Sequence, residues 1–144
     1  MTPTHRITRA AQLESLDDFR RFLKEHCAPH AGITAEILYD LQLAVDEACT
    51  NIITHGYAGM DPGSIILDLE IDASKIGISI TDFGHAFEPK SAPTPDVDAS
   101  IEEREFGGFG LFFIQQTMDE MNYRTTEDGN TMLLTKHIII PTGD

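Results

Sequence analysis

Two stretches near the middle of the chain alternate between apolar and polar side chains. Residues 65–71 are apolar at every odd position, and residues 76–80 are Ile at every even position. Side chains of a strand point alternately to opposite faces, so each stretch predicts a half-buried strand, and the short turn at residues 73–75 predicts a hairpin. Asp82 shares the parity of the Ile positions, which predicts that it lies on the covered face and needs a hydrogen-bond donor. Taken alone, Asp82 could equally be a cap or an ion pair at the strand end.

A longer spacing predicts helices. Residues 34–55 carry an apolar stripe, with Thr34 expected to open the helix and Gly56 or Gly59 to end it. Residues 13–27 predict an earlier helix whose start Ser15 or Asp17 would cap. A third helix is predicted from residue 111, with its stripe on Leu111, Ile114, Met118 and Met121.

The helix over residues 34–55 also carries polar side chains at a regular interval. Glu47, Asn51 and His55 are four residues apart, so they stack on one side, next to the apolar stripe. Asp46 is expected to point away from that side into solvent. A carboxylate, an amide and an imidazole beside a core face suggest a functional site, although such residues often form only a half-buried surface.

The remaining segments predict strands and one long connection. A short strand around Arg6–Thr8 is expected at a sheet edge, and residues 123–126 and 131–140 are expected to form a closing hairpin. Residues 83–107 are polar and irregular, which favours a functional lid or disorder. The glycine-rich run 107–110 precedes the third helix, and the amides of such a loop can face an anion at a helix N-terminus.

Composition limits the class of protein. The chain has 144 residues, a formal net charge of −14 and two cysteines. That charge disfavours nucleic-acid binding, which needs Lys and Arg clusters, and it opposes an anionic nucleotide unless backbone dipoles and a cation help locally. No apolar run approaches the roughly 20 residues that span a bilayer, and no signal peptide is evident. We therefore expect a single cytoplasmic domain over residues 1–144, with no membrane association.

The order of the motifs resembles the GHKL (histidine kinase-like) ATP-binding superfamily. A helix with Glu47 and Asn51 is followed by 82–84 (DFG) at a strand end, by a long connection and by a glycine-rich helix start. More closely, 45–51 (VDEACTN) with 55–57 (HGY), and 107–111 (GGFGL) with 118–120 (MDE), resemble the bacterial anti-sigma factor serine/threonine kinases. The resemblance extends from about residue 7 to 136. It implies a two-layer α/β (α+β) sandwich with a mostly antiparallel mixed sheet covered on one face by three helices.

The resemblance also implies roles for residues of the helix and the strand end. Asn51 would present its amide oxygen to Mg²⁺, and Glu47 would be the general base that takes a proton from a serine hydroxyl. Asp82 would accept a hydrogen bond from the adenine amino group, and Gly84 would allow close backbone approach to the base. Ala86 stands where the family's Asp-x-Gly-x-Gly pattern has its second glycine, so lid mobility is expected to differ.

The remaining roles fall on the glycine-rich loop and the closing hairpin. Gly108 and Gly110 would give their amides to the phosphates, and Gly107 would give the loop freedom. Thr131 resembles a family threonine near the adenine, and His55 is expected either to have a structural role or to support a neighbouring residue of the site. The ATP lid would span about residues 83–107.

The partners that the resemblance implies are proteins. The chain would sequester a sigma factor and phosphorylate a serine of an anti-sigma factor antagonist of the STAS type, acting as a homodimer with ATP and Mg²⁺. One alternative is an ATP-binding partner-switch module without kinase activity. Two others are a histidine-kinase catalytic fragment, against which the lack of an upstream phosphoacceptor helix counts, and a structural domain that binds no nucleotide.

Overall fold

Five strands form one antiparallel sheet in the order β1-β2-β3-β5-β4. A computed structural model describes residues 4–86 and 114–138 of the chain. Every strand pairing in these residues is antiparallel, so the sheet predicted as mostly antiparallel and mixed has no parallel pair in this part of the chain. The strands are β1 Thr4–Ala10, β2 Ser64–Ile71, β3 Lys75–Asp82, β4 Glu120–Thr126 and β5 Gly129–His137.

The predicted hairpin is formed by β2 and β3, and its parity is confirmed. The odd positions of β2 and the even positions of β3 are buried on the face that carries the helices. Ile76 lies opposite Ile71, and Asp82 lies opposite Ile65 at the far end of the pair. β1 forms one edge of the sheet, as expected, and β4 forms the other edge.

In the part of the chain that the structure describes, the buried face is covered by α1 (Ser15–Cys27) and α2 (Ala35–Asn51). Thr34 caps α2 as predicted, because its side chain accepts a hydrogen bond from the backbone N–H of Ile37. The helix does not continue as an α-helix to His55. It ends at Asn51 and is followed by a π-helical segment, Ile52–Gly56, a wider turn that is often found at functional sites.

The predicted caps of α1 are wrong. Glu14 occupies the N-cap position without a side-chain hydrogen bond. Ser15 is buried and donates its hydroxyl to the carbonyl of Ala10 at 2.7 Å, because a buried hydroxyl needs an acceptor. Asp17 is paired instead with Arg20 one turn later.

Asp46 is also not solvated as expected. Its Oδ2 accepts a hydrogen bond from Nε of Arg20 at 2.8 Å, and its side chain is 24% exposed. The reason is the packing of α1 against α2, which brings Arg20 across the helix pair. Sequence periodicity gives the direction of a side chain on its own helix but not which neighbouring helix lies there.

The third predicted helix is shorter at its C-terminal end than the apolar stripe indicated. Residues 114–117 are helical, whereas Met121 belongs to strand β4. The closing hairpin therefore begins at Glu120, earlier than predicted, and its turn is shorter. The start of this helix at Leu111 lies outside the described residues.

No helix in residues 4–86 and 114–138 is both long and apolar enough to cross a lipid bilayer.

The parity of β2 can be tested by truncating two adjacent side chains. Leu67 is fully buried beneath the helices, whereas Ile66 points to the other face and is half-buried. We expect Leu67→Ala to lower the free energy of unfolding by about 2–5 kcal/mol through the lost burial and the cavity it leaves. Ile66→Ala, the matched control, should lose clearly less in urea unfolding at an unchanged m-value. Equal losses would contradict the register.

Candidate functional site

A cavity lies between the end of α2 and the end of β3, beneath the segment that follows β3. It encloses about 530 Å³, part of which is open to solvent. The residues that line it are Ala48, Asn51, Ile52, His55, Gly56, Ile80, Asp82, His85, Ala86, Tyr123 and Met132.

Several residues predicted from the sequence meet in this cavity. Asn51 is the last residue of α2, and His55 belongs to the π-helical segment that follows, so the two contribute polar groups from one wall. Asp82 comes from the opposite wall at the end of β3, with Ala86 a few residues later. The fold thus brings together Asn51 and Asp82, which are 31 residues apart in the sequence.

Asp82 is a buried carboxylate with two hydrogen-bond donors. It is 3% exposed, and its Oδ1 accepts from the backbone N–H of Gly84 at 2.9 Å and from Nδ2 of Asn130 at 3.1 Å. The pKa of Asp82 is raised above its ordinary value, because the effect of burial exceeds that of these two hydrogen bonds, which lower it. The expectation that this carboxylate needs donor partners is confirmed, and protein groups already supply two of them.

Gly84 allows two backbone segments to come into contact. A Cβ added at Gly84 would collide with the carbonyl oxygen of Gly56, because the two would be closer than a side-chain atom can approach. The same carbonyl accepts the N–H of His85. Because Gly84 has no side chain, the backbone after β3 can contact the end of the π-helical segment. This contact is separate from any access that Gly84 gives to a ligand.

Tyr57 lies in the same region and makes two hydrogen bonds through its hydroxyl. Its hydroxyl donates to the carbonyl of Ser64 at 2.8 Å and accepts from the N–H of Phe83 at 2.9 Å. The side chain is 6% exposed, and burial raises the pKa of its phenol. One buried side chain thus connects the end of the helix to both strands of the β2–β3 hairpin.

Glu47 lies one turn before Asn51 on α2, so the two side chains are neighbours on the helix surface. Glu47 is half-buried, and burial together with the charge of Asp46 raises its pKa. It is not among the residues that line the described cavity. Its position therefore fits a group at the edge of the cavity.

Thr131 is not brought to the cavity. Its hydroxyl lies 3.1 Å from that of Thr81, on the face of the sheet opposite Asp82. The preceding residue, Asn130, is the one that faces Asp82. Sequence reasoning missed Asn130 because it was assigned to a turn, although its position directly before a period-2 strand could have indicated a buried side chain.

Part of the predicted site falls outside the described residues. Gly107, Gly108 and Gly110 lie there, as does the predicted lid beyond residue 86. Within the described lining of the cavity there is neither Lys nor Arg. Residues 4–86 and 114–138 also hold no group of three or more His, Cys, Asp or Glu side chains suited to a metal ion.

Comparison with known proteins decides the family. Residues 9–136 match the histidine kinase-like ATPase domain family. The chain belongs to this family. The matched range includes both walls of the cavity.

Similar relatives are named as protein kinases. Serine/threonine-protein kinase BtrW of Bordetella bronchiseptica is 30% identical over 113 residues, 78% of this ATPase domain and 80% of the relative. Serine-protein kinase RsbW of Staphylococcus aureus is 39% identical over 113 residues, 75% and 70% of the two chains. RsbW of Listeria monocytogenes is 32% identical over 115 residues, 77% and 73%. These names support protein kinase activity.

A solved structure confirms the fold. The crystal structure of the RsbU and RsbW domains of Rv1364c from Mycobacterium tuberculosis matches 95% of this ATPase domain with a TM-score of 0.69. The sequences are 21% identical, and the match covers 33% of that longer chain. The likeness therefore supports the α+β architecture with its antiparallel sheet.

The contact between Gly84 and Gly56 can be tested by adding one methyl group. We expect Gly84→Ala to lower the free energy of unfolding by about 1–3 kcal/mol, because the new Cβ collides with the carbonyl of Gly56. Gly77→Ala is the matched control, since a Cβ there has only the carbonyl of Glu70 within reach, at 4.0 Å. Chemical denaturation would measure both. A Gly84→Ala protein as stable as the Gly77→Ala protein would contradict this contact.

Proposed function

We propose that this chain is a serine-protein kinase that binds ATP with Mg²⁺ in the cavity between α2 and β3. The observation that supports this most strongly is the convergence of Asn51 and Asp82 on one cavity. An amide oxygen and a buried carboxylate are the groups needed at the phosphate end and at the base end of an adenine nucleotide. The relatives named as kinases support the same activity.

Asp82 would hold the base. An ionised carboxylate is an acceptor only, and the exocyclic amino group of adenine is a donor. The two hydrogen bonds already made to Asp82 fall on Oδ1, so Oδ2 would accept the amino group. The apolar part of the lining, including Ile80 and Met132, would contact the faces of the base.

Asn51 would coordinate Mg²⁺. A hard cation prefers oxygen ligands, and Mg²⁺ is commonly bound through few protein groups, several waters and the phosphates of the substrate. One amide at the cavity wall fits this mode, and a cage of carboxylates is not required. Bound Mg²⁺ would neutralise phosphate charge that the described lining, without Lys or Arg, does not neutralise.

Glu47 would be the general base of phosphoryl transfer. Its carboxylate would take the proton of a serine hydroxyl while the serine oxygen forms a bond to the γ-phosphorus. The bond from that phosphorus to the bridging oxygen breaks, and ADP leaves. The predicted amides of Gly107, Gly108 and Gly110 would bind the phosphates.

The substrate and the second partner would be proteins of a partner switch. We propose that the phosphorylated serine belongs to an anti-sigma factor antagonist of the STAS type, and that the chain, as a homodimer in the cytoplasm, sequesters a sigma factor. The single domain over residues 1–144, with a lid at about 83–107, remains part of this proposal. The resemblance of 45–51 and 107–111 to the anti-sigma factor kinases supports it, together with the likeness to RsbW and BtrW.

A second candidate function is regulation by binding alone. The observation that favours it is the absence of Glu47 from the described lining of the cavity, which includes Asn51 and Asp82. Such a module would bind ATP and a partner protein without transferring phosphate to serine.

Replacement of the base distinguishes these functions. We expect Glu47→Gln to lower the rate of phosphate transfer from labelled ATP to the antagonist by about 10²–10⁴-fold, because the amide cannot accept the proton. The Kd for Mg-ATP should change by less than about threefold. Glu36→Gln, the same change in the first turn of α2, is the control. If the wild-type protein and Glu47→Gln transfer phosphate equally, or not at all, the kinase proposal fails and the binding module is favoured.

The pH dependence of transfer tests the environment of Glu47. Its pKa is raised, and a base acts when deprotonated, so the rate should rise with pH through a value above the ordinary pKa of Glu. Asp46→Asn removes one charge that raises this pKa while its amide oxygen can still accept from Arg20. The acidic limb of the kcat profile should then move to lower pH, whereas Glu36→Gln leaves it in place. A shift to higher pH would contradict the assignment.

A further inference from the structure

We propose that Asn130 is a positioning residue that keeps the carboxylate of Asp82 a hydrogen-bond acceptor and so selects a 6-aminopurine over a 6-ketopurine. The proposal rests on the proposed nucleotide site and deepens it by naming the residue that sets base choice.

Asn130 and Asp82 form a buried pair. Asn130 and Asp82 are each 3% exposed, and with Ser15 they are the buried polar residues of the described chain. They lie opposite each other where β3 pairs with β5. A buried carboxylate is costly unless it is paired, so a donor at this point stabilises the ionised form of Asp82.

The amide of Asn130 has one orientation, with its NH₂ group between two acceptors. Nδ2 of Asn130 donates to Oδ1 of Asp82 at 3.1 Å and to the carbonyl of Gly84 at 3.0 Å. A carbonyl and an ionised carboxylate can only accept, so the group between them must be the NH₂ end of the amide. Both of its hydrogens are used, and the side chain is therefore fixed in one orientation.

The two hydrogen bonds to Asp82 are both made to the same carboxylate oxygen. Gly84 and Asn130 both donate to Oδ1, which fixes the plane of the carboxylate and leaves Oδ2 for the base. These donors also counteract the effect of burial on the pKa of Asp82. They thus favour the ionised, acceptor form of the carboxylate in a place where burial raises its pKa.

Base choice follows from that ionisation. An ionised Asp82 attracts the 6-amino group of adenine and repels the 6-keto oxygen of hypoxanthine or guanine. A protonated Asp82 would donate to a 6-keto oxygen, and discrimination would diminish. A residue that keeps Asp82 ionised therefore acts on the ratio of the two affinities, whereas a residue with only a structural role weakens both nucleotides alike.

The test uses an isosteric change. Asn130→Asp places a carboxylate where the NH₂ group faced two acceptors, and the repulsion favours protonation of Asp82. The Kd values of Mg-ATP and Mg-ITP, which differ in the 6-substituent and in the hydrogen that the 6-keto base carries on N1, are measured by titration calorimetry on the full chain. We expect the wild-type protein to prefer ATP by about tenfold or more. In Asn130→Asp the preference should fall to within about threefold.

Two further variants keep the outcome decisive. Asn130→Ala removes the donor without adding charge and should give an intermediate ratio, and it decides the question if Asn130→Asp does not fold by circular dichroism. Asn122→Asp is the matched control, an exposed position on β4 where the same substitution should leave the ratio unchanged.

The possible failures can be told apart. If the wild-type protein binds neither nucleotide, the proposed nucleotide site itself fails. If the wild-type protein prefers ATP and both Asn130 variants weaken ATP and ITP by the same factor, the nucleotide site stands and the role of Asn130 is overturned. An unchanged preference in both variants overturns that role as well.

Discussion

The structure depends on one buried carboxylate at the end of a strand. Asp82 is on the helix-covered face of the sheet, where a charge is unfavourable unless donors surround it. Its two donors come from different parts of the chain, Gly84 on the segment after β3 and Asn130 on β5. The same segment contacts the carbonyl of Gly56, so satisfying this carboxylate also joins the sheet to the end of α2. The requirements of one charged group therefore determine how the cavity closes.

The end of α2 has a complementary constraint. The change from α-helix to π-helix after Asn51 places Asn51 and His55 on the wall of one cavity, and Tyr57 then secures the chain to both β2 and β3 through its hydroxyl. π-helical turns are rare, occur mostly as single turns within α-helices and are frequent at functional sites. Here the buried hydroxyl of Tyr57 and the backbone contact of Gly56 support this turn.

The charge of the chain has a different consequence. A net charge of −14 repels nucleotides at long range, and the described lining of the cavity offers no basic side chain. Affinity for a triphosphate must then come from short-range groups, namely oriented amides, a bound cation and the hydrogen bonds of the base. The groups at the base end of the cavity therefore contribute more to the affinity. The Asp82–Asn130 pair acts over distances at which solvent does not screen its charge.

The sequence by itself determined the elements and the direction of Asp82. Period-2 and 3.6-residue patterns are local, so the β2–β3 hairpin, the cap at Thr34 and the covered position of Asp82 followed from neighbouring residues alone. The tertiary structure decided which distant groups meet: Arg20 with Asp46, Gly84 with Gly56, and Asn130, not Thr131, with Asp82. The physical reason is that these contacts depend on strand register and helix packing, and a shift of one residue in the register of β5 would exchange the faces of Asn130 and Thr131.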